Sequence, residues 1–227
     1  METSLHRELK SLYSDDESQQ EVTLDGYRID VVSDGRLVEI QYGSLAAIRD
    51  KIRALVEKHY VLIVKPLAAR KFLVNKTRRG GPVKSARYSP TRQNFYNLFD
   101  DLVHFVGVFP HPRLTLEVLL TEQEEHRLPA GRRRWRSKGY RVEDRILRTI
   151  SDRLCFRTAG DLLALLPKGL SGRPFTTVDI ASNADIPRWL AQKMAYCLRK
   201  TGAVDTVGKQ GNTLLYELRG LQDERAA

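Results

Sequence analysis

The period of the hydrophobic positions changes along this chain, and the changes mark its elements. Over 2–13, Leu5, Leu9 and Leu12 recur at i, i+4 and i+7, the spacing of one helix face. A polar, acidic stretch follows over 14–20. Three short runs then read as strands: 21–24, 27–33 and 36–42. The last two flank Asp34-Gly35, a dipeptide suited to a tight hairpin turn. Gly43-Ser44 breaks the sheet pattern, with Ser44 placed as a helix N-cap. Leu45, Ile48, Ile52, Leu55 and Val56 then keep helical spacing over 45–58. The continuous apolar run 61–64 fits a strand buried on both faces. The opening order is therefore α-β-β-β-α-β.

Further on, 71–89 reads as a hairpin turning at 76–81, and 94–109 as an amphipathic helix carrying Phe95, Leu98, Phe99, Leu102 and Phe105. A strand is expected over 111–120. The stretch 131–138 is basic and poorly periodic, which makes it the best domain boundary: a domain over 1–128, a linker over 129–139 and a second domain over 140–220. Behind it, 142–150 is expected to be helical with Ile146, Leu147 and Ile150 inward. Thr158 should cap a second helix ending at 166, and a short helix should cover 178–182. After a turn at 183–187, a longer helix over 188–201 should stop at Gly202. Two strands, 203–207 and 213–218, would flank the polar turn 208–212.

Composition narrows the class. At 227 residues and 41% hydrophobic, the chain can bury a core, and no apolar run approaches the ~20 residues that span a bilayer. The first residues lack a signal-peptide pattern. Cys155 and Cys197 lie far apart in apolar surroundings, as two buried thiols would. A cytoplasmic location is expected. The net charge is +10, unevenly spread: 9 Lys/Arg against 12 Asp/Glu over 1–66, 9 against 6 over 67–126, and 20 against 10 over 127–227. The positive excess sits at the back, where a polyanion would bind.

The back half carries a more specific pattern. Helix, helix, turn, helix and a hairpin with a basic, Gly-rich tip resembles a winged helix-turn-helix domain over about 140–218. The stretch 175–181, Phe-Thr-Thr-Val-Asp-Ile-Ala, resembles the entry to the helix pair, and 187–202 resembles a recognition helix running into the wing. Leu190, Met194, Cys197 and Leu198 form its inward stripe. Arg188, Gln192, Lys193, Arg199 and Lys200 occupy the other side, where Gln and Arg can read base edges and Lys can hold phosphates. Lys209, Gln210 and Asn212 would reach the flanking backbone or minor groove. Trp189 and Tyr196 are expected in the core or at a hinge.

The first 65 residues resemble the restriction-endonuclease-like, or PD-(D/E)XK, nuclease superfamily. Asp30 stands on one strand, Glu39 and Gln41 on the next, and Glu8 on the first helix. Gln41 stands where that superfamily usually has Lys, although Glu-x-Gln variants occur in it. The resemblance implies an α+β fold, a nuclease-like mixed sheet ahead of the winged-helix domain. It also implies Mg²⁺ (or Mn²⁺) on Glu8, Asp30 and Glu39, with Asp30, Glu39, Gln41 and Lys51 at the catalytic centre. Phosphodiester hydrolysis calls for such a cation, and Mg²⁺ takes a few carboxylate oxygens while keeping waters. A Gln amide orients water but cannot act as a base, so Lys51 is the candidate substitute cation. The basic hairpin 71–89, with Lys76, Arg78, Arg79, Lys84 and Arg87, would add backbone contacts.

Three function classes follow, the first two being a Mg²⁺-dependent endonuclease acting on duplex DNA and a non-enzymatic winged-helix regulator with a degenerate nuclease-like domain. A protein-docking adaptor is the third. Duplex DNA is the expected partner, with a second copy of the chain as a further one.

Overall fold

Two dipeptides with left-handed backbone turn the front of the chain back on itself. Asp25 and Gly26 have φ of 49° and 79°, and Asp34 and Gly35 have 49° and 71°. Such turns match the twist of the strands they join. They connect β1 (Gln20–Leu24), β2 (Tyr27–Ser33) and β3 (Arg36–Ile40) into an antiparallel meander, with Val22 opposite Ile29 and Val31 opposite Val38.

The computed structural model describes residues 2–130 and 139–219. The chain is α+β and divides into two compact units. The first comprises Met1–Tyr42, Leu62–Asn94 and Glu117–Leu154; the second comprises Gly43–Val61, Phe95–Leu116 and Cys155–Ala227. The expected division into 1–128 and 140–220 does not follow these units, because each draws on three separate segments. The basic connector 131–138 lies outside the described residues. Among the described residues, no helix is long and apolar enough to cross a membrane.

In the first unit the meander extends into a seven-stranded sheet. β4 (Tyr60–Lys76), β6 (Leu114–Pro129) and β7 (Tyr140–Phe156) follow in the order β1-β2-β3-β4-β6-β7, and β5 (Val83–Tyr88) pairs with β4. Helix α1 (Ser4–Ser11) lays Leu5 and Leu9 on a core of Val31, Val38, Ile40, Leu62, Val64 and Leu119. Burying each leucine contributes about 1.5–3 kcal/mol. Leu12, expected on the same face, lies just past the helix and is 55% exposed.

The expected helix over 142–150 is instead the middle of β7. The i, i+1, i+4 spacing of Ile146, Leu147 and Ile150 fits a helix, but β-branched residues and a neighbouring strand favour extension. β7 ends the sheet path, and α1 covers part of its exposed backbone. Glu8 Oε2 accepts from Leu147 N at 2.7 Å. In return β7 caps α1: Asp144 Oδ1 accepts from Ser4 N at 2.8 Å and Oδ2 from Ser4 Oγ at 2.6 Å. Thr3, the local N-cap residue, makes no such bond. Burial raises the Asp144 pKa, but the bonds from Ser4 outweigh it and hold the carboxyl below its ordinary value.

In the second unit the expected helix over 45–58 is a 3₁₀ turn, Leu45–Ile48, followed by α2 (Arg49–Leu55). Ser44 caps the turn, accepting from Ala46 N at 3.3 Å. The expected helix over 94–109 shortens to α3 (Leu98–Leu102), beyond which Phe105 and Phe109 are buried within turns. The helix expected to end at 166 is a 3₁₀ segment, Gly160–Leu165.

From Thr177 onward the expected order holds: α4 (Thr177–Ala184), α5 (Arg188–Thr201), β8 (Val204–Gln210) and β9 (Thr213–Leu218). Thr176 and Asp179 form a reciprocal capping box at the start of α4. Asp185, with φ of 50°, ends that helix, and Gly202, with φ of 83°, ends α5. Leu190, Met194, Cys197 and Leu198 are buried, as the apolar stripe required. Phe175 and Tyr216 exchange both backbone bonds, at 2.9 and 2.8 Å, tying the segment before α4 to the hairpin. Cys197 is buried and its thiol is pushed up to about 12 by that burial; Cys155, expected inside, is exposed.

Candidate functional site

Two places gather functional side chains, one in each unit. In the second unit, α5 presents Arg188, Gln192, Arg199 and Lys200 outward, and the β8–β9 tip presents Lys209, Gln210 and Asn212. Arg188, Arg199 and Lys209 form no salt bridge among the described residues. The Lys200 ammonium lies 6.0 Å from the Tyr196 ring centre, an outward position.

Lys193 departs from this set. Its Nζ donates to Asp100 Oδ1 of α3 at 2.9 Å and lies 5.2 Å from the Trp189 ring centre. It ties α5 to α3, so its charge is already engaged. Trp189, expected in the core or at a hinge, is 50% exposed.

In the first unit, a cavity of about 570 Å³ opens beside α1 and is bordered by Glu2, His6, Glu21, Arg28 and Asp30. α1 supplies His6 and Lys10, and Glu2 lies just before the helix at the same four-residue spacing. Lys10 Nζ lies 2.6 Å from Glu2 Oε1 and 2.5 Å from Glu21 Oε1, and Glu21 also binds Arg28. His6 Nε2 lies 3.2 Å from Asp30 Oδ1. Burial opposes protonation of His6, yet Asp30 and then Glu2 hold its pKa above the ordinary value. Burial likewise opposes charging of Lys10 and Glu21, but Glu2 and then Glu21 hold the Lys10 pKa above its ordinary value, and Lys10 and then Arg28 hold that of Glu21 below.

The expected metal set does not assemble here. Among the described residues, the donors that gather within 4.8 Å of one another are Glu2, His6 and Glu21, not Glu8, Asp30 and Glu39. Glu8 is engaged with the Leu147 backbone. Asp30 accepts from Ile40 N at 2.7 Å, in addition to facing His6. Glu39 is buried, and Gln41 donates its backbone N–H to Val64 O at 2.9 Å. Lys51 lies on α2, which belongs to the second unit, whereas Asp30, Glu39 and Gln41 belong to the first. Nor does the gathered trio fit a divalent cation readily, because the Lys10 ammonium already supplies the positive charge between Glu2 and Glu21. Sequence inspection passed over Glu2, His6, Lys10 and Glu21; the four-residue spacing of the first three was the available signal.

The basic hairpin is partly engaged as well. Lys76 Nζ lies 3.0 Å from Glu143 Oε2, and Arg79 reaches the same carboxylate at 4.0 Å. Lys84 and Arg87 on β5 are exposed.

An uncharacterized protein of Treponema pallidum (strain Nichols) is 29% identical over 228 residues, covering 99% of this chain and 88% of the relative. No solved structure matches. The family model described as "Domain of unknown function (DUF8091)" matches residues 3–157, more than half of the chain, and the protein belongs to that family.

Proposed function

We propose that this protein binds duplex DNA through α5 and the β8–β9 hairpin, acting as a winged helix-turn-helix, with a first unit that need not be catalytic. The observation that carries this reading is the outward set Arg188, Arg199 and Lys209, which form no salt bridge among the described residues, with Gln192 and Lys200 beside it, on a helix ended by Gly202 and followed by a short hairpin. A helix of this size enters the major groove, where such side chains meet base edges and phosphates. The capping box, the left-handed Asp185 and the Phe175–Tyr216 bridge support the reading by making α4, α5 and the hairpin a rigid platform. Fluorescence anisotropy with a labelled duplex over a salt series tests it. Affinity should fall steeply with salt, by about 0.9 log units per phosphate contact per log unit of salt. A protein with no duplex affinity at low salt overturns it.

A second reading, a metal-dependent endonuclease, draws on the cavity bordered by Glu2, His6, Glu21 and Asp30. It requires the Lys10 ammonium to give way to a cation. Mn²⁺-dependent plasmid nicking that Asp30→Asn abolishes would favour it; a protein with no nicking leaves the non-enzymatic reading.

A further inference from the structure

A second cavity in the first unit, of about 350 Å³, is lined by Arg70 and Phe72 of β4, Tyr88 of β5, Glu124 and Gln123 of β6, and Arg148 of β7. Among the described residues, the buried side-chain polar atoms without a hydrogen-bond partner are Arg70 Nε and Gln123 Oε1, and both residues border this cavity. Their coincidence is informative, because a buried donor or acceptor left unmet is costly.

The Gln123 amide cannot relieve itself by turning over. Thr121 Oγ1 gives its one proton to Leu67 O at 2.9 Å, so it can only accept from Gln123, and Nε2 donates to it at 2.7 Å. That fixes Oε1 as an acceptor to be met from the cavity; the side chain is 1% exposed. The Arg70 guanidinium carbon lies over Tyr88, 3.9 Å from the ring centre, and Phe72 meets the same ring edge-on with centroids 5.0 Å apart. The cavity therefore offers one buried acceptor, one buried donor and a wall that carries planar groups.

We infer that this cavity holds an unpaired nucleobase. A base is planar, donates one N–H and accepts at another edge atom, and stacks on arginine and aromatic faces. A phosphate or carboxylate has no proton for Gln123 Oε1 and meets two carboxylates in the lining, Glu122 and Glu124. A paired base has its edge occupied, so the ligand is a single-stranded or extruded nucleotide, or a free one. The inference deepens the nucleic-acid reading above and rests on it.

The full chain is tested against a short single-stranded oligonucleotide containing 2-aminopurine, a duplex of the same length, and free nucleoside monophosphates. Wild type should quench or shift the 2-aminopurine emission. Gln123→Leu and Arg70→Met, which keep bulk but remove the acceptor or the donor, should each weaken single-strand affinity about tenfold or more and leave duplex affinity within about twofold. The two variants guard against misfolding of either one. An oligonucleotide bound at least tenfold more tightly than the monophosphates identifies a polymer ligand; equal affinity identifies a free nucleotide. Single-strand affinity unchanged in both folded variants overturns the base pocket, whereas loss of duplex affinity on neutralising α5 is a separate outcome that bears only on the DNA-binding reading.

Discussion

The sheet of the first unit and the α5–hairpin surface of the second use the same residue types in opposite ways. On the sheet, cations are matched by buried acids. Glu125 takes Arg127 at 2.6 Å, Arg145 at 3.1 Å and Lys71 at 3.6 Å; Glu124 takes Arg148 and His126; Glu117 takes Arg153 at 3.3 Å and Tyr13. Burial alone would raise the pKa values of Glu124 and Glu125, and these partners hold them low instead. On α5 and the hairpin, Arg188, Arg199 and Lys209 face outward and pair with no acid among the described residues. Charge that is paired inside a fold is answered by its partner and orients the strands; charge that is left outward remains free for a polyanion. The +10 excess over 127–227 is therefore a poor guide by itself, because Arg127, Arg145, Arg148 and Arg153 all count towards it and all are ion-paired on the sheet.

The largest expected effect tests the outward half of this comparison. Replacing Arg188, Arg199, Lys200 and Lys209 together by Ala should weaken duplex binding on the order of 10²-fold at moderate salt and lower the salt slope by about 3–4. Thermal stability should barely move, since none of the four is ion-paired among the described residues. Anisotropy and thermal melts read both; an unchanged salt slope breaks the comparison.

The inward half is tested at Lys10. Lys10→Met leaves Glu2 and Glu21 facing each other without their shared cation, at an expected cost of about 2 kcal/mol. Adding Glu21→Gln should recover much of it. Urea denaturation checks both, and a neutral Lys10→Met would mean that the cluster is not structural.

Asp144→Ala should cost about 1 kcal/mol by uncapping α1. The sign of its pH dependence follows from the lowered pKa in the folded protein. The contribution is fully present above the unfolded value, about 3.9, and is lost as pH falls through the folded value. Wild type and variant should therefore differ at pH 7 and converge in acid, which urea midpoints across pH would show.

The finest distinction lies within α5 itself. Lys193→Gln should change duplex affinity less than about twofold, because its ammonium already belongs to Asp100, while Lys200→Gln should lower it about threefold to tenfold. Equal effects of the two would remove the difference between engaged and outward lysines on which the assignment depends.

Local patterns determined a good share of the architecture. Asp34-Gly35 located its hairpin, Leu5 and Leu9 located α1, and the stripe Leu190, Met194, Cys197 and Leu198 with Gly202 located α5 and its end. These depend on periodicity and turn chemistry within a few residues, which is what a single sequence displays. Tertiary structure alone decided the rest. It drew 142–150 into β7, because a neighbouring strand's hydrogen bonds outweigh a helical spacing. It turned Glu8 from an expected metal ligand into the acceptor for Leu147 N, 139 residues away, and made Asp144 the cap that Thr3 does not provide. It paired Lys193 with Asp100 across 93 residues and left Trp189 half exposed. Whether a charged side chain catalyses, binds or merely holds two elements together depends on which partner the fold brings within about 3 Å, and charge carries no periodicity that would reveal in advance a partner distant in the sequence.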